Sequence, residues 1–218
     1  MIFHAIHGAD GVPFAHDPKR DLKSLRVGVD AVAFDDRAPH FKDAVARETY
    51  ADALTILKRL AGELVPIKLP PAERYSGLAS LIIACESACS FTELLESGRI
   101  RELKQQDEGS WPNTFRIGST IPASDYLRAM QVRTQLMREM HNAMKDVDLY
   151  VTIPYIGPTI AFTNLTGHPS LITRCGMRDD RPRMIEFVGN LYREDAILRV
   201  AHAFESQNNF NTMWPTRS

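Results

Sequence analysis

The strongest constraint on what this chain can fold into is a strand, helix, strand series with short joints. Leu25-Arg26-Val27-Gly28-Val29 alternates apolar with small or polar residues as a strand does, and Ala44 to Ala61 places Val45, Ala53, Leu54, Leu57 and Leu60 at helical spacing. Gly62 follows as the helix stop, and Leu64-Val65-Pro66-Ile67-Lys68-Leu69 reads as a second strand. A helix between two strands makes them parallel, and the crossover right-handed. Pro66 has no N–H to give to a ladder, which suits a sheet edge or a strand start.

Beyond this unit, Ala72 to Lys104 is helical in pattern, with Leu78, Leu81, Ile82, Cys85, Cys89 and Leu94 on one apolar face, and Glu108 to Pro112 breaks it. Pro122 to Val147 is the clearest helix, since Tyr126, Met130, Met137, Met140, Met144 and Val147 return at steps of three, four or seven. Leu149 to Ile153 is a buried strand, and Ser170 to Thr173 and Met184 to Val188 are two more. A helix from Glu194 to Glu205 closes the series, its two leading acids suiting the helix dipole. Met1 to Lys23 mixes glycine, proline and charge without a period and reads as irregular. No repeat, low-complexity tract or linker divides the rest, so residues 1–218 are expected to form one domain. The expected class is α/β, a mixed, largely parallel sheet flanked by helices.

Charge and composition narrow the partners. With 26 Lys and Arg against 27 Asp and Glu, the formal net charge is -1, and no global field favours nucleic acid or an anionic membrane surface. His4, His7, Asp10 and Pro13 interrupt the first residues, so they do not form a signal peptide, and no apolar run is long enough for a bilayer. Three cysteines without an export signal imply reduced thiols and a cytoplasmic setting.

Four pieces then occur in a fixed order: Tyr150-Val151-Thr152-Ile153-Pro154; Thr163-Asn164-Leu165-Thr166-Gly167-His168-Pro169-Ser170; Cys175-Gly176-Met177; and Met184-Ile185-Glu186-Phe187-Val188-Gly189, followed by Glu194-Asp195-Ala196-Ile197-Leu198. The series resembles the closing section of amidase signature enzymes, and the first strand, helix and strand resemble that family's central crossover. The resemblance implies the carboxy-terminal half of the amidase signature fold, with residues 1–218 as a partial amidase domain opening on an irregular segment over 1–23. Asn164, Gly167 and Pro169 suit its turn: a side-chain amide ties the backbone, glycine takes positive φ, and proline sets up the next strand.

The same resemblance implies a substrate rim at Tyr155, Ile156 and Thr163. Arg116, in Phe115-Arg116-Ile117-Gly118, lies near where some glutamine-using members carry an arginine for a substrate carboxylate, which a guanidinium grips in a bidentate way. Those members also place an acid seven positions before the turn's Asn; here that position is Gly157, which points to a general amidase. The family uses a nucleophilic serine, a bridging serine and a lysine base, with the serines set in a glycine- and serine-rich run. Here the Gly-Ser pairs are Gly109-Ser110 and Gly118-Ser119, and neither lies in a stretch able to present several N–H groups to an oxyanion. No catalytic residue is therefore assigned.

Other chemistries fit less well. Cys85 and Cys89 lack a paired Cys-x-x-Cys or a matching histidine set and read as core thiols; His-Glu-x-x-His is absent, and the histidines are scattered. No metal and no cofactor is expected. The functions that remain are a fragment of an amide hydrolase, inactive alone, whose complete enzyme opens a C–N bond through an acyl-serine; a noncatalytic binding or assembly module that keeps this half-fold; or one half of a split amidase. Its partners would be a small-molecule amide in the complete enzyme and either an amino-terminal half or another copy of the chain.

Overall fold

The computed structural model describes residue 17, residues 21–178, residues 181–208 and residue 212. Most of the irregular opening segment lies outside the described residues. The chain gathers into two compact units, one made of residues 1–70 with 140–218, the other of Pro71–Glu139.

The first unit is built on a five-stranded sheet. Its strands are β1 (Val27–Asp30), β2 (Leu64–Ile67), β3 (Leu149–Thr152), β4 (Ser170–Arg178) and β5 (Arg181–Gly189), in the order β2-β1-β3-β5-β4. β1 pairs in parallel with β2 and β3, whereas β3–β5 and β5–β4 are antiparallel. The sheet is thus mixed, parallel on the crossover side and antiparallel where β4 and β5 pair. These two strands run beyond the apolar stretches Ser170–Thr173 and Met184–Val188, with a register shift between Arg174 and Gly176.

Helix α1 (Ala44–Ala61) makes the crossover from β1 to β2. Its start is fixed by the Asp43 carboxylate, which accepts from Val45 N at 3.1 Å, and its end by Gly62 at φ 88°. β2 is an edge strand. Ile67 O accepts from Ala31 N at 3.0 Å, so Ile67 and, by alternation, Val65 turn their peptide groups toward β1. Pro66 faces outward, where a missing N–H breaks no ladder bond.

One face of this sheet holds the unit's apolar core. Val27, Leu149, Val151, Ile185 and Phe187 pack there with Tyr50, Ala53 and Leu57 of α1. Ile197, Val200 and Phe204 of the last helix (Glu194–Ser206) join the same cluster, Phe204 meeting Phe187 edge to face at 5.9 Å. Each fully buried aliphatic or aromatic side chain contributes about 1.5–3 kcal/mol relative to exposure, which makes this cluster the main source of the unit's cohesion.

The second unit is helical, but the expected run from Ala72 to Lys104 is four pieces: a 3₁₀ turn (Ala72–Tyr75), α2 (Leu78–Ser90), α3 (Thr92–Glu96) and a further 3₁₀ turn (Arg99–Glu102). Gly77 and Gly98, both left-handed, and Phe91 at φ -108° make the breaks. The buried face of α2 is Leu78, Ile82, Ala84 and Ala88; Cys85 is half-buried and Cys89 exposed, so Cys89 is not the core thiol its spacing suggests. Helix α4 (Trp111–Gly118) lies against α2 so closely that a Cβ on Gly118 would run into the Ala84 carbonyl. Phe91 and Phe115 stack at 4.7 Å.

Helix α5 (Ala123–Met144) begins in the second unit and ends in the first. Its buried positions are Ala129, Leu136, Met140 and Met144; Met137 is exposed on the other side, and the helix stops before Val147.

Candidate functional site

The order β2-β1-β3 puts the two neighbours of β1 on opposite sides, reached by connections that leave in opposite directions. In open α/β sheets the crevice outside the carboxyl ends of such a strand pair is where ligands bind, because the loops diverge there. In this chain that place lies at the residues that end β1 and β3, Asp30 and Thr152.

Asp30 is buried, and its carboxylate is held from three directions. Oδ1 accepts from Val32 N at 3.1 Å and Ala33 N at 3.3 Å, folding the loop after β1 back on the strand; Oδ2 accepts from the Thr152 hydroxyl at 2.9 Å. Asp30 therefore sets the geometry of the crevice rather than carrying reactivity.

The loop after β3 forms the opposite lip. Tyr155 takes φ 65°, the left-handed region that a bulky residue enters at a cost, and its side chain is 84% exposed. Ile156 is half-buried, and its N–H bonds Ile153 O at 3.1 Å. Gly157 follows at φ 78°, so an acidic residue at this position would be strained. A short helix, α6 (Thr159–Thr166), then carries Thr163, buried, with its hydroxyl bonded to Ile160 O at 3.1 Å. Tyr155, Ile156 and Thr163 thus lie on one continuous segment, with Tyr155 the most open to a ligand.

Arg116 sits in the second unit on α4, half-buried, donating from Nη2 to Gln106 Oε1 at 2.7 Å. Asn164 lies within α6 rather than in a turn, since its side-chain amide donates to Ile160 O at 2.8 Å one helical turn back. Gly167 at φ 80° ends that helix, donating to Thr163 O at 2.8 Å, and Pro169 O accepts from Gly189 N at 2.9 Å, which joins the segment to the sheet.

Below the crevice, the sheet face opposite the apolar core carries polar side chains among apolar ones such as Val188 and Ile67. Tyr150 and Thr152 of β3 and Glu186 of β5 are all buried, and Thr152 stands directly across from Glu186 in the antiparallel register. Burial raises the pKa of Glu186, and a hydrogen bond with Ser170 offsets part of that. Burial likewise drives Tyr150 above its ordinary range, offset in part by the Thr159 hydroxyl and reinforced by the charges of Glu186 and Asp30. Among the described residues, Tyr150 Oη, Thr159 Oγ1 and Glu186 Oε2 are buried without a hydrogen bond of good geometry, an uncommon concentration for one sheet face. His168 is also buried, its Nδ1 2.7 Å from the Thr166 hydroxyl, and its pKa is lowered by burial first and then by His141.

Asp30, Tyr150, Thr152 and Glu186 are not among the residues singled out from the sequence. The signal for them is faint: Asp30, Thr152 and Glu186 are single polar residues within otherwise apolar strands. Among the described residues, no three His, Cys, Asp or Glu side chains converge as a metal site requires, and no helix is long and apolar enough to cross a membrane.

No family model matches the chain. Curated relatives include the A-subunit of the glutamyl-tRNA(Gln) amidotransferase of Thermoanaerobacter pseudethanolicus, 26% identical over 234 residues, covering 88% of this chain and 46% of the relative. The same-named protein of Listeria monocytogenes is 25% identical over 243 residues, covering 93% and 49%. Among solved structures, the peptide amidase of Stenotrophomonas maltophilia superposes with a TM-score of 0.68 at 18% identity, over 85% of this chain and 43% of that one. A bacterial aryl acylamidase of the amidase signature family gives 0.66 at 15% identity, over 88% and 45%. The chain spans about half the length of the curated relatives it matches, and the match falls on their carboxy-terminal half.

Proposed function

From a chain that has the fold of the carboxy-terminal half of the amidase signature enzymes, we propose a part of an amide hydrolase whose complete form opens a C–N bond through an acyl-serine and releases an amine or ammonia. The observation that supports this reading is the match in sequence and fold to members of that family, with the crevice at the ends of β1 and β3 placed where an α/β sheet takes its ligand. In this reading Tyr155, Ile156 and Thr163 form part of the substrate rim, and Arg116, in the second unit, is a separate candidate for binding a carboxylate. The left-handed Gly157, where glutamine-using members carry an acid, supports a general amidase over a glutamine-specific one. The three cysteines are free, as suits a cytoplasmic enzyme, and residues 1–218 serve as one partial amidase domain.

These 218 residues contain no glycine- and serine-rich run to supply the nucleophile and its oxyanion donors. That observation favours a second reading, a noncatalytic binding or assembly module, or one half of a split enzyme. The test is to assay the purified chain on simple aliphatic and aryl amides, alone and mixed with the amino-terminal half of a relative that carries the serines and lysine. The hydrolase reading expects no turnover alone and turnover on mixing, weakened by Tyr155→Ala. Turnover by the chain alone, lost on changing one of its own serines, would overturn the assignment of catalysis to the other half. A stable complex that turns over no amide would favour the binding module.

A further inference from the structure

Helix α6 opens without a side-chain cap. Its first hydrogen bond runs from Phe162 N to Pro158 O at 2.9 Å, so among the described residues the N–H groups of Thr159, Ile160 and Ala161 have no acceptor. Unpaired donors at the start of a helix, with the dipole behind them, favour negative charge. This end of α6 follows the loop after β3, on the crevice side of the sheet. Space opens before it: a Cβ on Gly157 would meet no atom within 4 Å, and Ala161 is exposed.

A helix start alone makes no site, but here two buried hydroxyls stand at its base. Tyr150 on β3 is 0% exposed and Thr159, the first residue of α6, is 1% exposed; neither Oη nor Oγ1 has a hydrogen-bond partner of good geometry. The Thr159 hydroxyl is near enough to ease the burial of the Tyr150 phenol, so Tyr150 reaches from the sheet to the first turn of the helix. Buried donors left unmatched are costly, and an oxygen acceptor at this end of α6 would accept from both.

The neighbouring carboxyl groups decide what kind of acceptor fits. Asp30 is already engaged by Val32, Ala33 and Thr152. Burial favours the neutral form of Glu186, which lies diagonally across from Tyr150 in the β3–β5 register. None of the donors is a lysine or an arginine, so a doubly charged phosphate would meet too little compensation beside Asp30, whereas a singly charged carboxylate requires less. We infer that the amino end of α6 binds a small carboxylate, held by the N–H groups of the first turn and by the hydroxyls of Thr159 and Tyr150. The site stands apart from the hydrolase reading, and its test requires no turnover.

Titration of the whole chain with sodium acetate at constant ionic strength, followed by proton–nitrogen NMR, tests the inference, with acetamide as the uncharged probe. Saturable shifts are expected at the amides of Thr159, Ile160 and Ala161 with acetate and none with acetamide. Tyr150→Phe and Thr159→Val keep the shape of the side chain and remove one hydroxyl each. Each should weaken acetate about tenfold, as the loss of one hydrogen bond to a charged group implies. The inference is overturned by shifts that do not saturate, by equal shifts with acetamide or with chloride in place of acetate, or by an acetate affinity that both variants keep.

Discussion

The Thr152 hydroxyl donates to Asp30 Oδ2 at 2.9 Å, a buried bond between residues 122 apart in sequence that ties the carboxyl end of β3 to that of β1. It holds together the two strands whose diverging loops define the crevice. Thr152→Val keeps the shape of the side chain and removes the donor, leaving a buried carboxylate oxygen unmatched at a cost of about 1–3 kcal/mol. Urea unfolding should show a lower midpoint with unchanged slope, and Thr152→Ser should restore most of the loss. Equal stability of the valine variant would mean that the bond contributes nothing.

Glu186 stands across the sheet from Thr152 and is itself a buried carboxyl group. Its folded pKa lies above its ordinary 4.5, so the folded state binds the extra proton; the associated stability is complete below 4.5 and is lost as pH rises through the folded value. Glu186→Gln removes the ionisation and should raise the melting temperature at pH 7 to 8. The gain should shrink toward zero below pH 4.5. A gain that is the same at every pH would point to packing instead of charge.

His168 acts in the acid range. Its pKa is lowered from 6.5 by burial, so the unfolded chain binds its proton first, and stability falls as pH drops from 6.5 toward the folded value. Following its ring protons by NMR should show titration below pH 6.5. A midpoint at or above 6.5 would contradict the burial that the structure gives it.

Gly118→Ala should destabilise the second unit, because the new methyl meets the Ala84 carbonyl, a backbone atom that cannot swing aside. Overpacking of this kind costs about 1–3 kcal/mol. Limited proteolysis should then cut faster within residues 71–139 than elsewhere. Unchanged cleavage there would show that the helices separate without cost.

The three thiols should react in a set order, read by mass spectrometry during alkylation. Cys89 is exposed and leads; Cys85, half-buried and shifted up by burial and then by Glu86, follows. Cys175, buried and pushed up to about 12, should wait for unfolding. Labelling of Cys175 before Cys89 in the folded chain would reverse this picture.

Helix α1 is legible to the residue because Asp43 and Gly62 are themselves capping residues, and β3 because Leu149 to Ile153 is apolar or buried on both faces. The eight-residue α6 is hidden in what reads as a turn, too short to display a helical period. The outer parts of β4 and β5 are masked by Arg174, Arg181 and Arg183, since strands that reach beyond the core lose their apolar alternation. The segment from Ala72 onward keeps a helical period across its breaks, so periodicity joins what Gly77, Phe91 and Gly98 separate. Of the crevice, the lip residues Tyr155, Ile156 and Thr163 follow from the family resemblance. Asp30, Thr152 and Glu186 are single polar residues in apolar strands, and only the pairing of β1, β3 and β5 reveals them as neighbours on one face.

Pro66 gives the sheet a direction of growth. On the outer side of β2 its ring stands where an incoming strand would need a donor, so that border is chemically blunt. The opposite border, β4, is nine residues long and hydrogen-bonded within the described residues only to β5. A further strand would find backbone donors and acceptors along β4, interrupted at the register shift between Arg174 and Gly176, and would lack a donor beside Pro66 of β2.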